Sequence, residues 1–199
     1  MSYLFKILVR VVMYKTLTIW VEGEEDVIFF ENIIKDKFSK KYDNIDIRSY
    51  NGDSYKNSRN KKKLMNWIDS FNSINNKGKQ LKHYIFVSDL DLNCITEKKQ
   101  EIKKYLTNIS NDKILVVVKE VESWYLAGID RTNSRRLKIN YFNKKTNNIT
   151  KEYFCSLLPK DIEKRPFLLD IVTNYSVNLA KNNNDSFKYF LKNMKKYSY

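Results

Sequence analysis

At 199 residues the chain has room for one main domain and a small extension, and 42% hydrophobic with 14% aromatic residues favours a buried core over disorder. A net charge of +14 and a mean hydropathy of −0.58 give a polar, basic surface suited to polyanions. Two cysteines and one histidine are too few for a disulfide framework or a cysteine zinc site, which makes a reducing cytoplasm the default.

Residues 3–13 are apolar but interrupted by Lys6 and Arg10. They fall short of the roughly 20 apolar residues of a membrane span and read as a terminal strand or packing segment. Residues 16–21 form a β-branched and aromatic run expected to be a buried strand, ended by Glu22 and Gly23. Gly23 is expected to permit a tight turn. Helical spacing follows over residues 25–38, then a short strand over 45–50 and a helix over 59–74. A strand over 84–87 leads into Ser88-Asp89-Leu90-Asp91, with Thr96 as the expected cap of a helix reaching about residue 109. Residues 114–118 are the clearest buried strand. Strands alternating with helices predict an α/β fold with a mainly parallel sheet and flanking helices.

After Gly128 the pattern changes. Residues 131–148 are polar and basic and read as an exposed loop, with helices expected over 150–158, 167–180 and 186–194. The expected division is therefore a domain over 1–129 and a basic, mostly helical extension over 130–199. Residues 130–199 hold 15 of the 37 basic residues and 6 of the 23 acidic ones. Thirty of the basic residues are Lys, in an Asn- and Ile-rich composition that AT-biased coding also produces.

Acids follow three strands: Glu22 with Glu24, Glu25 and Asp26; Asp89 with Asp91; and Glu120 with Glu122. The carboxyl edge of a parallel sheet is where such folds bind ligands. Acids at a helix start also serve the helix, which accounts for Glu24 to Asp26 but less well for Glu22. Residues two apart in extended chain face one side, so Asp89 and Asp91 can converge. At about 4 Å and an effective dielectric of 20, such a pair repels by roughly 4 kcal/mol, which a divalent cation offsets. All-oxygen donors suit Mg²⁺ or Mn²⁺. Phosphodiester hydrolysis follows as the chemistry, with Lys119, Arg131, Arg135, Arg136 and Lys138 as candidate phosphate contacts. Trp124 and Tyr125 are candidates for base stacking, with packing the stronger expectation for Trp124.

Residues 18–26, Thr-Ile-Trp-Val-Glu-Gly-Glu-Glu-Asp, and 85–91, Ile-Phe-Val-Ser-Asp-Leu-Asp, resemble the strand-Glu-Gly and Asp-x-Asp patterns of the Toprim family. The resemblance covers roughly residues 16–129. The stretch Glu122-Ser-Trp124-Tyr-Leu-Ala127 is similar to one in small standalone Toprim-like proteins, and Asp26 matches an added acid in overcoming-lysogenization-defect-type nucleases. The resemblance implies a catalytic pair, Glu22 and Asp26, and metal ligands Asp89, Asp91 and Glu122. It also implies a nuclease, with a link to antiphage defence and a separate ATPase partner, since this sequence has no Gly-x-x-x-x-Gly-Lys phosphate loop. DNA is slightly favoured over RNA. A non-catalytic interaction module that retains the acidic pocket stays open as the alternative.

Overall fold

Alternating residues of the first strand face two different cores, and this sets the layers of the molecule. In the computed structural model, which describes residues 14–75, 80–90, 94–142 and 144–195, strand β1 is Tyr14–Val21. Leu17, Ile19 and Val21 are fully buried on one face, whereas Trp20 packs on the other. The apolar stretch 3–13 and Asp91 lie outside the described residues.

Strands β2 (Asn44–Ser49), β3 (Gln80–Asp89) and β4 (Ile114–Val117) complete a four-stranded sheet of order β2-β1-β3-β4, parallel at every pairing. Helix α1 (Glu24–Phe29) crosses from β1 to β2 over the first face. The chain then returns past β1 through α2 (Ser58–Asn75) on the second face, and α3 (Ile95–Tyr105) leads to β4 on that face. The connections thus reverse direction between β1 and β3. A crevice opens at such a reversal beyond the carboxyl ends of the strands.

The first face is closed by α1, by α4 (Val121–Ala127) and by the C-terminal helices α6 (Lys151–Ser156), α7 (Lys164–Thr173), α8 (Val177–Asn183) and α9 (Asp185–Met194). Phe154, Phe167, Leu168, Ile171, Ala180, Phe187 and Phe190 belong to the same buried cluster as Leu17 and Ile19. The described residues from 130 onward therefore supply one wall of the sheet's own core. Phe29 is the hub of this wall, with rings of Tyr125 at 4.9 Å, Tyr175 at 5.4 Å, and Trp124 and Phe187 each at 5.9 Å. The α1 helix widens into a π-helical turn over Phe30–Ile34, where Phe30, Ile33 and Ile34 are all buried.

Three local expectations are corrected. Residues 131–148 include a helix, α5 (Arg131–Arg136), capped by the Asp130 carboxylate, and a fully buried Thr146 whose hydroxyl accepts from the Asn184 amide at 3.1 Å. That amide also donates to Ser123 Oγ at 3.2 Å, so a polar network satisfies the buried hydroxyl, while Leu137 of the same segment joins the hydrophobic core. Helix α3 starts at Ile95, so Cys94 rather than Thr96 holds the cap position. Gly23 has φ −131°, extended backbone open to any residue; the close approach that does need glycine is at Gly128, where a Cβ would stand 2.4 Å from the Tyr175 ring.

Among the described residues no helix is long and apolar enough to cross a membrane. Because the C-terminal helices share the sheet's core, Phe187→Ala should lower unfolding free energy by about 3–5 kcal/mol. Denaturant unfolding should remain one transition, with far-UV circular dichroism and tryptophan fluorescence coinciding; separate transitions would mean that residues 130–199 fold apart from the sheet.

Candidate acidic site at the sheet switch point

Glu22 directly follows β1 and Asp89 ends β3, so neighbouring parallel strands deliver both acids to the crevice. Glu22 Oε2 accepts from the Asp89 backbone N–H at 3.1 Å and from the Tyr50 and Ser88 hydroxyls, each at 3.4 Å. The Tyr50 hydroxyl also lies 3.1 Å from the Val87 carbonyl. Burial, followed by the Glu22 carboxylate, pushes the Tyr50 phenol well above its usual range, which keeps it a donor. Behind Tyr50 the chain turns through Asn51 and Gly52, both left-handed, and the Gly52 N–H donates to the Glu22 carbonyl at 2.8 Å.

Asp26 is buried in the first turn of α1 and accepts from the Gly23 N–H at 2.8 Å. Burial raises its carboxyl to about 7; the Gly23 hydrogen bond works against this, and the fields of Glu122, Glu22 and Glu25 add to it. Asp89 is pushed well above the carboxylate range, first by burial and then by Asp26, Glu22, Glu122 and Glu120. The four acids Glu22, Asp26, Asp89 and Glu122 thus share one field.

Glu122 arrives by a different route. After β4 the chain passes through Lys119 at φ +65°, and Glu120 becomes the residue preceding α4. The two acids diverge there: Glu120 accepts from the Lys151 N–H at the start of α6, and Glu122 is buried and adds to the fields at Asp26 and Asp89. Lys164 of α7 is paired with Glu25 and, at 3.1 Å, with Glu122. Burial alone would lower the Lys164 ammonium, but its bonds to Glu25 and Glu122 outweigh this and hold it above its ordinary value.

Lys164, Tyr50 and Ser88 are functional neighbours that the sequence patterns did not single out. Ser88 had a signal in its place beside Asp89 at a strand end. Lys164 had none, because it lies 42 residues beyond Glu122 on a helix without a local motif.

Four of the five basic candidates stand elsewhere; the fifth, Lys119, follows β4 next to Asp89, its carbonyl accepting from the Leu90 N–H at 3.2 Å. Arg131, Arg135, Arg136 and Lys138 follow the far end of α4, whose seven residues rise roughly 10 Å. Arg136 is held by Asp170 through its side chain at 2.9 Å and its carbonyl at 2.8 Å, so it serves the fold. Lys119 is exposed beside the β4–α4 connection. Lysines 181, 188, 192 and 195 rim a separate cavity over Phe38 and Leu191, lined by none of the four acids. Trp124 and Tyr125 are buried and cannot stack on a base. His83 pairs in register with Leu17, and its ring nitrogen lies 2.6 Å from the Tyr42 hydroxyl. It is six residues before Asp89, roughly 20 Å along the strand.

Among the described residues no group of three or more His, Cys, Asp or Glu side chains is arranged to hold a metal ion. The donors are all carboxylate oxygens, the ligand class that suits a hard divalent cation, while Lys164 holds Glu122 at 3.1 Å. Comparison with protein-family models, with curated proteins and with solved structures found no match to this chain.

The raised Asp26 carboxyl binds its proton more tightly folded than unfolded. Its contribution to stability is therefore fully present below about pH 4 and lost as pH rises through about 7. In EDTA, Asp26→Asn should raise the melting temperature at pH 8, by about 2–4 °C for each kcal/mol of repulsion removed, with the gain shrinking toward pH 4. Thermal melts across that range check this; a gain independent of pH would contradict the shared field.

Proposed function

We propose that the protein is a divalent-metal-dependent phosphodiesterase acting on DNA or RNA, with DNA slightly favoured. The observation that carries the reading is that Glu22, Asp26, Asp89 and Glu122 converge electrostatically at the switch point of a parallel sheet. The Toprim-like motifs place their acids at these same strand ends, and Mg²⁺ or Mn²⁺ is the cofactor that the resemblance implies.

Asp89 and Glu122 would hold the ion, together with Asp91, which lies outside the described residues, with Glu22 and Asp26 as the catalytic pair beside it. When bound, such an ion polarises a phosphoryl oxygen and lowers the pKa of a bound water. The chain's own groups do the rest. Glu22, fixed by the Asp89 N–H and two hydroxyls, presents a carboxylate of set orientation that can take a proton from an attacking water. Burial and the neighbouring carboxylates raise the Asp26 and Asp89 carboxyls, and positive charge entering between them favours loss of their protons. Lys164 supplies an ammonium next to Glu122 that can face the charge developing on a phosphate. The exposed free thiols Cys94 and Cys155 suit the reducing cytoplasm in which we place this activity. A role in antiphage defence and a separate ATPase partner follow from the resemblance alone.

One observation favours the second reading, a non-catalytic interaction module: Lys164 occupies Glu25 and Glu122, and no three described acids form a ready ligand cage. Cleavage assays decide between the two. Single- and double-stranded DNA and RNA should be cut in Mg²⁺ or Mn²⁺ and left intact in EDTA, and Asp89→Asn should slow cutting at least about a hundredfold, as loss of a key stabilising group does. Mg²⁺ at a hundred times its dissociation constant should stabilise the fold by about 2.7 kcal/mol. Undiminished cutting by a folded Asp89→Asn/Asp91→Asn double mutant would remove the hydrolase assignment. Salt-sensitive binding without metal-stimulated cutting would support the module.

A further inference from the structure

Beside the acids lies a second concavity that the phosphodiesterase reading leaves unused. It is a cavity of about 480 Å³ between the end of the edge strand β2 and the first turns of α2. That volume is within the range of small-molecule sites. Trp20 of β1 and Trp67 of α2 line it, set edge to face at 5.1 Å. The Arg48 guanidinium lies 5.9 Å from the Trp20 ring while paired with Asp46, and the exposed Lys63 adds a second cation.

The cavity is joined to the acidic site through Tyr50. This residue lines the cavity, and its hydroxyl reaches Glu22 at 3.4 Å. Glu24, two residues after Glu22, lies on the same lining. A polymer with a phosphate at the carboxylates therefore has its adjoining unit beside the cavity.

Indole surfaces with flanking cations suit a flat π-system carried on an anionic backbone. A base held in a duplex cannot enter such a recess without leaving its stack, which costs a few kcal/mol, whereas an unpaired base enters freely. We propose that this cavity receives a nucleobase of a single strand whose neighbouring phosphate lies at Glu22 and Asp89. The preferred substrate is then single-stranded or locally unpaired nucleic acid. The proposal rests on the phosphodiesterase reading for the position of the phosphate, but the base site has its own test.

Binding is read by fluorescence anisotropy with the full chain carrying Asp89→Asn, in EDTA at about 50 mM salt, where phosphate contacts are strong. The probes are a fluorescein-labelled thymidine dodecamer, a duplex of equal length, and a base-free sugar–phosphate oligomer of equal charge. The dodecamer should bind at least about tenfold tighter than the duplex. The base-free oligomer should bind about 5- to 100-fold more weakly than the dodecamer, the range expected from losing one stacked base. Asn60→Trp, which places bulk at an exposed position on the cavity wall, should weaken the dodecamer about tenfold and leave the base-free oligomer unchanged. Lys63→Glu should weaken both. Equal affinity for the two single-stranded probes, or no effect of Asn60→Trp in a protein with an unchanged melting temperature, overturns the proposal. Cutting by the protein with native Asp89 is scored separately in Mg²⁺. Cutting that persists unchanged in Asn60→Trp overturns the base site and leaves the hydrolase standing. Base-dependent binding without any cutting upholds the base site and removes the hydrolase.

Discussion

The packing of α4 against α1 holds together what electrostatics would drive apart. Side chains three apart on a helix share a face. Asp26 therefore stands one turn from Phe29, and Glu122 one turn from Tyr125. The Phe29 and Tyr125 rings meet at 4.9 Å, and the Tyr125 hydroxyl donates to the Glu25 carbonyl at 2.8 Å. This one helix contact brings both acids into the same field. Burying each large apolar side chain contributes about 1.5–3 kcal/mol, and each ring pair about 0.5–1.5 more. Several such rings outweigh a carboxylate repulsion of a few kcal/mol.

The sheet determines where this contact lies. A parallel sheet whose connections reverse between β1 and β3 leaves the ends of those two strands uncovered by a crossover, and Glu22 and Asp89 occupy those ends. The acids are thus gathered by topology from above and by aromatic packing from below. Lys164 enters from a third direction on α7, so the site draws on both the sheet and the C-terminal helices. Among the described residues from 130 onward, Lys164 is the ammonium paired with these acids. Several other basic residues of this region serve elsewhere, as Arg136 does at Asp170 and Lys181 at the rim of a distant cavity.

Much of the fold was legible because strand burial has a simple period. The run after Lys15 and the run at Ile114 could be little else, and the acids after them were visible as breaks in apolar sequence. Residues 131–148 were misread because their packing rests on distant partners: Leu137 joins the core shared with the C-terminal helices, and Thr146 accepts from Asn184 across 38 residues, which local composition cannot report. The divergence of Glu120 from Glu122 depends on a left-handed Lys119, a conformation that side-chain spacing does not encode. Trp20 and Trp67 carry no common motif and meet only because β1 and α2 do. Contacts between distant segments, including Lys164 with Glu122, are where reading along the chain ends.

The position of Lys164 also bears on how the molecule is made. Translation releases the chain from its N-terminus, and Glu22, Asp26, Asp89 and Glu122 emerge before α7 exists. Lys164 and the Tyr175 and Phe187 rings that enclose Phe29 emerge after all four acids, and because the C-terminal helices share the sheet's core, the sheet and its acidic site close together rather than one after the other.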